Sequence, residues 1–417
     1  MKFVKIAAVA LVAAAFAGCG GQGPKAPKGT VRAVYVDLQA AMGGIEDVID
    51  DFTGELPASK NELKNLVREK VKNFKKDMKE SGCPLSNLRW FMSCDVVDNM
   101  QGLLSERDAL SLPTSTSAPR LRNTKNANIY GVKKGEKILE YMKNNPKIFG
   151  AITNTEELAG VKVYEGRLPD FSSLARIDFE DGFKKENFAD GTATVGLRFR
   201  ETRFALVGDD IFVASSDRSV LEDAIRIYKG DSKPEEGFDD IDDLDGNTVA
   251  RFLVPNLGGL VKKSGLENAV KTMADNTGDK KLAESILDMG DFQVDINLDG
   301  GDFGAKVSVT CASRADARFL ESRFKLVERG SRWQVNESII EARDGDRKRY
   351  SSLDLPGPAN YFLDAFGGVR LPSDVCVAVL KESRESCEAD RSGRTATFEF
   401  SMDTEDTVEK IVKSLFN

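Results

Sequence analysis

Histidine is absent from all 417 residues of the chain. Without it, neither Ser-His-Asp nor Cys-His catalysis can be assembled. Histidine-containing zinc sites and histidine-based pH sensing are excluded for the same reason. Any catalysis would have to use carboxylates, Ser-Lys pairs, tyrosine or metals bound through oxygen.

Long apolar runs are also missing, apart from one near the N terminus. Ile6 to Ala17 carries no charge and follows Lys2 and Lys5. A bilayer-spanning helix needs roughly twenty apolar residues, and this run has only about twelve. A basic start followed by a short apolar run is typical of a secretory signal peptide. We therefore predict that the chain is exported and that the rest of it is soluble.

The apolar run ends in Phe16-Ala17-Gly18-Cys19. This ending resembles the lipobox of bacterial lipoproteins, with Phe16 where leucine is usual. The resemblance implies cleavage before Cys19, a diacylglyceryl thioether on Cys19, and usually a further acyl chain on its amine. Two or more acyl chains anchor a protein stably. In enterobacterial lipoproteins an aspartate after the cysteine signals inner-membrane retention; Gly20 stands there, which favours the outer membrane if the same rule applies.

Glycine and proline dominate the segment 19–29, which follows the predicted cleavage site. Both residues disfavour regular helix and sheet, so we predict an irregular tether. Ten extended residues reach at most about 35 Å. The folded body should therefore lie close to the bilayer.

The chain is acidic, with a formal net charge of −8. Loss of Lys2 and Lys5 with the signal peptide makes the mature chain more acidic still. An acidic surface argues against nucleic acid as a partner, because such binding needs a basic footprint. It also argues against broad electrostatic docking on anionic lipid. The expected partners are the membrane, through the lipid anchor, and a protein of the envelope.

Six cysteines are present, and lipidation of Cys19 would leave an odd number. Export permits disulfides. Two local bridges, Cys83 with Cys94 and Cys376 with Cys387, are the simplest pairing, although connectivity cannot be read from sequence. Cys311 alternates in phase with Val307 and Val309 on a predicted strand. It should therefore be a small buried hydrophobe.

Three segments share one pattern, a hairpin followed by a polar cap and an amphipathic helix. They are 204–229, 292–326 and 375–416, and they indicate a structural repeat. Strands with one polar and one apolar face predict antiparallel sheets with helices packed on one face, an α+β fold. An acidic stretch at 231–247 is predicted as a linker between a first domain (30–230) and a second (248–417).

The 204–229 segment is similar to segments of uncharacterised exported bacterial proteins that are grouped as domains of unknown function. That resemblance supplies no residue roles.

Asp295-x-Asn297-x-Asp299-Gly300 matches the start of a calcium loop, but Lys306 stands where a bidentate glutamate is needed. We predict a strand and turn there, and no metal or other cofactor.

The predicted function is that of a membrane-anchored envelope lipoprotein that binds or scaffolds a partner without catalysis. No catalytic residue is assigned. Two alternatives stay open. One is an anchored hydrolase with two carboxylates about 5–10 Å apart. The other is a lipid or solute carrier with an apolar cavity of several hundred Å³.

Overall fold

A computed structural model describes residues 22–41, 65, 87–106, 109, 121–170, 198–299, 302–343 and 387–403. Within these residues the chain forms one antiparallel sheet of twelve strands, ordered β11-β12-β10-β9-β8-β1-β2-β3-β7-β6-β5-β4. The predicted α+β class with an antiparallel sheet is therefore confirmed.

The strands take the following bounds: β1 Thr30–Asp37, β2 Leu88–Val96, β3 Lys125–Val132, β4 Thr153–Leu158, β5 Val161–Asp170, β6 Arg198–Val207, β7 Ile211–Ser215, β8 Thr248–Val254, β9 Met289–Asp299, β10 Asp302–Cys311, β11 Cys387–Ser392 and β12 Thr395–Asp403. The helices are α1 Gly135–Asn144, α2 Pro146–Phe149, α3 Arg218–Lys229, α4 Leu257–Lys263, α5 Glu267–Thr277, α6 Lys280–Leu287 and α7 Arg314–Arg343.

The helices lie on both faces of the sheet, which corrects the prediction of one covered face. Along β1, Val34 and Val36 belong to the larger core, whereas Ala33 and Tyr35 belong to the smaller one. Successive strand side chains point to opposite faces, so the two cores lie on opposite sides of the sheet. Helix α3 fills the smaller core, and the larger core takes apolar residues from helices α1 and α4 to α7.

The predicted hairpin-helix pattern is present in two segments. Strands β6 and β7 lead into α3, and β9 and β10 lead into α7. The two helices nevertheless pack on opposite faces, because α3 contributes to the smaller core and α7 to the larger one. In the third segment β11 and β12 form a hairpin. The rest of this third segment, 375–386 and 404–416, lies outside the described residues.

Helix α3 shows why these local predictions succeed. The side chain of Asp217 accepts hydrogen bonds from the backbone N–H groups of Ser219 and Val220, at 2.9 and 3.1 Å. Gly230, with φ of 83°, ends the helix in the left-handed conformation that glycine adopts at little cost. Between these caps the apolar spacing of 3.6 residues gives a single buried stripe.

Strands from both predicted domains belong to the same sheet. Antiparallel pairing of β1 with β8, for example Val34 with Phe252, joins the two halves. The acidic stretch 231–247 also packs on the sheet, since Phe238 and Ile241 are buried in the smaller core. This stretch is thus part of the packed body, and the division into a first domain (30–230) and a second (248–417) stays a prediction. Among the described helices, none is both long and apolar enough to cross a membrane.

Candidate anchor site

The segment 22–29, which we call the strap, packs against the body along its whole length. Its C-terminal end continues into β1, and the backbone N–H of Val97, just beyond β2, donates to the carbonyl of Gly29 at 3.0 Å. At its other end, the backbone N–H of Gln22 donates to Asp210 Oδ2, in the turn between β6 and β7, at 3.0 Å. The predicted tether is therefore irregular, as expected, but it is held on the body from residue 22 onward.

Four backbone N–H groups of the strap donate hydrogen bonds to side chains of the β6–β7 turn, of α3 and of the acidic stretch 231–247. Besides Gln22, Lys25 donates to the hydroxyl of Tyr228 at 2.7 Å. Lys28 donates to Asp223 Oδ2 and Gly29 to Glu235 Oε2, both at 2.8 Å. Three of the four acceptors are carboxylates, and hydrogen bonds to charged groups are stronger than neutral ones. These bonds supply partners that an irregular segment cannot find within itself.

Burial adds to these hydrogen bonds. Ala26 is 1% exposed and belongs to the smaller core. Its carbonyl accepts a hydrogen bond from the backbone N–H of Glu235 at 2.9 Å, so strap and acidic stretch hold each other. The Lys25 ammonium lies 5.6 Å from the centre of the Tyr228 ring, within cation–π range.

Tyr228 is the central contact of the strap. It lies near the end of α3 and is 3% exposed. Burial raises the pKa of its phenol well above the usual value, although the hydrogen bond from Lys25 opposes the shift. The hydroxyl therefore stays neutral and can both accept from Lys25 and remain in an apolar setting.

A buried ion pair also holds the acidic stretch 231–247 on the sheet. Arg251 in β8 and Asp295 in β9 are each 7% exposed, and Arg251 Nε donates to Asp295 Oδ1 at 2.8 Å. Arg251 Nη1 also donates to the backbone carbonyl of Asp243 at 2.8 Å and to that of Asp240 at 3.2 Å. The stretch is thus held by its main chain, and most of its acids point to solvent.

Asp242 is exposed like most of those acids, but desolvation, followed by repulsion from Asp243 and Asp240, raises the pKa of its carboxyl. The described residues contain no group of three or more histidine, cysteine or acidic side chains arranged to hold a metal ion.

The predicted site cysteines are only partly described. Cys19, Cys83 and Cys376 lie outside the described residues, and Cys387 begins β11. Cys94 lies in β2 at 0% exposure as a free thiol, and burial raises its pKa. A bridge to Cys83 would require that residue to reach into the smaller core, and both disulfides stay predictions. Cys311 is buried and free, as predicted for a core residue.

The polar strand face predicted from the sequence is present in the C-terminal half of the sheet. On the side that carries α3, strands β9 to β12 present polar side chains that are half-buried or exposed. They include Gln293, Asn297, Lys306, Ser308, Thr397, Glu399 and Asp390. No described helix packs on this part of the sheet. We call this surface the polar platform.

A shallow groove of about 440 Å³ lies at β5 and β6 and is lined by charged side chains. Arg167 pairs with Glu201 and Arg203 with Glu165, each at 3.2 Å. Each carboxylate thus faces a guanidinium, an arrangement typical of surface ion pairs. The groove therefore offers no support for the hydrolase alternative, and its charged lining does not suit an apolar ligand.

No protein-family model and no curated protein matches this chain. The solved structure of TP0453 in crystal form I is similar at a TM-score of 0.31 and 9% identity, covering 94% of this chain and 99% of that chain. For crystal form III the TM-score is 0.34 and the identity 8%, with the same coverage. Likeness at this level carries no argument about function.

Proposed function

We propose that the protein is an envelope lipoprotein, acylated on Cys19, that binds or scaffolds a partner and does not catalyse a reaction. The observation that carries the proposal is the sequence around Cys19. A basic start, a short apolar run and Ala17-Gly18-Cys19 form the signal of an exported, acylated chain. The folded strap supports it, because the body begins only three residues after that cysteine.

Mass spectrometry of the chain purified from membranes tests the anchor. We expect residues 1–18 to be absent and Cys19 to carry a diacylglyceryl group. Cys19→Ser should leave the signal peptide uncleaved and remove the lipid. Phe16→Leu is the matched control, since it restores the usual lipobox residue and should be processed as well as the natural chain. An unmodified Cys19 in the mature chain would refute the proposal.

The polar platform supports the binding part of the proposal. Its side chains donate and accept hydrogen bonds, and a polar sheet face is suited to a protein partner with a polar interface. Thr397→Arg would place a long cation in its middle, whereas Arg318→Glu changes an exposed site on α7, on the opposite face. Affinity capture from detergent-solubilised envelopes should recover a partner that Thr397→Arg loses and Arg318→Glu retains. Equal recovery of the partner with both variants would exclude the polar platform as its binding surface.

A further inference from the structure

The strap spans the sheet from one end to the other. Gly29 lies beside Val97, at the end of β2, and Gln22 contacts Asp210 at the opposite end. Strand β3 pairs with Val96 at Lys125 and with Ile211 at Gly131, so the two ends are six residue steps apart, about 20 Å. The strap therefore carries the chain from the end of the sheet at Gly29 to the opposite end, where Gln22, the first described residue, lies.

That second end, which we call the anchor end, is built from connected turns. The backbone N–H of Gly135 donates to the carbonyl of Asp209 at 2.9 Å, which joins the start of α1 to the β6–β7 turn. Lys229 Nζ donates to the carbonyl of Ala159 at 2.6 Å, which joins the end of α3 to the β4–β5 turn. Gln22 is held at this end by two hydrogen bonds, to Asp210 and to the carbonyl of Tyr228.

Two residues, Gly20 and Gly21, separate Cys19 from Gln22, and the three steps between their Cα atoms span at most about 11 Å. A free tether of the whole segment 19–29 would instead allow about 35 Å and any orientation. Acyl chains on Cys19 lie in the bilayer, so the bilayer surface must lie within that short distance of the anchor end.

We infer that the strap fixes the orientation of the body, so that the anchor end, with the turns around Lys134, Gly160 and Asp209, contacts the lipid headgroups. This inference rests on the proposed acylation of Cys19. The strands then run away from the membrane, and among the described residues those at the opposite end of the sheet, near Asn99, lie farthest from the bilayer.

Quenching by a headgroup spin label tests the orientation. The acylated chain is placed in phosphatidylcholine nanodiscs that contain a spin-labelled lipid, with a fluorescent amino acid at Lys134 or at Asn99. Both positions are exposed and outside the strap. We expect several-fold stronger quenching at Lys134 than at Asn99. Equal quenching, or stronger quenching at Asn99, would overturn the inference.

A variant that releases the strap shows whether the strap is the cause. Asp223→Ala, Glu235→Ala and Tyr228→Phe together remove three of the four acceptors, and the difference in quenching between Lys134 and Asn99 should shrink toward equality. Glu222→Gln is the control on the same helix, since Glu222 pairs with Arg226 and not with the strap. If quenching at Lys134 exceeds quenching at Asn99 by the same factor in the triple variant, the strap does not set the orientation.

Amide hydrogen exchange gives a readout that does not depend on acylation or on any variant. The amides of Gln22, Lys25, Lys28 and Gly29 should exchange at least tenfold more slowly than in an unfolded chain. Exchange at the unfolded rate in the folded protein would refute the strap itself. An unmodified Cys19 with protected strap amides would instead refute the proposed anchor and leave the strap in place.

Discussion

The backbone N–H of Lys25 donates a hydrogen bond to the phenolic oxygen of Tyr228, 203 residues further along the chain, at 2.7 Å. It connects the segment after the predicted lipidation site to helix α3, which packs on strands β3, β6 and β7. A segment rich in glycine and proline thereby becomes part of the fold.

Tyr228→Phe tests the strength of this connection. The ring stays in the core, while the Lys25 amide loses its acceptor. We expect a loss of about 1 kcal/mol in the free energy of unfolding, measured by denaturant titration, because one intramolecular hydrogen bond contributes about that much. Exchange of the Lys25 amide should also become faster. A variant with unchanged exchange at Lys25 would show that the hydroxyl does not hold the strap.

Arg251→Met should be much more damaging. It leaves the Asp295 carboxylate buried without its cation and releases the carbonyls of Asp240 and Asp243. Removal of one partner from a buried pair typically costs about 3–5 kcal/mol. Lys262→Met is the control, since Lys262 and Asp288 form an exposed pair worth at most about 1 kcal/mol. Similar losses in the two variants, measured by denaturant unfolding, would contradict the role assigned to Arg251.

Gly131→Ala probes a close approach on the sheet. Gly131 in β3 lies opposite Trp90 in β2, and a Cβ there would stand 2.2 Å from Trp90 Nε1. The indole would have to move, and overpacking of this kind costs about 1–3 kcal/mol. In Trp90→Phe the smaller ring leaves room, so Gly131→Ala should cost less in that background. A double-mutant cycle measures this coupling, and additive losses would show that the two residues do not interact.

Local patterns predicted much of this fold. The hairpin, polar cap and helix predicted at 204–229 and at 292–326 are both present, and Asp217 and Gly230 bound the helix of the first. Strand β4 was not predicted, because Thr153–Leu158 is an edge strand with only one buried residue and no apolar alternation.

The strap was beyond prediction for a different reason. Its acceptors Asp210, Asp223 and Glu235 are separated from it by about two hundred residues, and each looks like an ordinary surface acid in the sequence. Asp295 gave the opposite error. It alternates with Val294 and Ile296 and so belongs to the polar face of its strand, but it pairs with Arg251 in the interior. Long-range pairing of charged side chains leaves no periodic signal, so the elements could be predicted while the candidate site could not.

The decrease in the free energy of unfolding at alkaline pH should depend in part on Cys311. Burial, followed by repulsion from Asp316, raises the pKa of this thiol to about 11. In the unfolded chain the thiol ionises near pH 9, so between about pH 9 and 11 the folded state binds more protons than the unfolded state. The contribution of Cys311 is therefore complete below about pH 9 and is lost as the pH rises toward 11, by at most about 1.4 kcal/mol per pH unit.

Cys311→Ala removes this titration. Below pH 9 the variant should have a free energy of unfolding that is lower by a constant amount, because the side chain is truncated. Between pH 9 and 11 the difference in free energy of unfolding between the variant and the natural chain should narrow. Denaturant unfolding at several pH values measures both curves. The buried phenols of Tyr35 and Tyr228, whose pKa values are also raised by burial, act in both proteins and cancel in the comparison. Parallel curves through pH 11 would mean that the Cys311 thiol ionises equally in the folded and unfolded states.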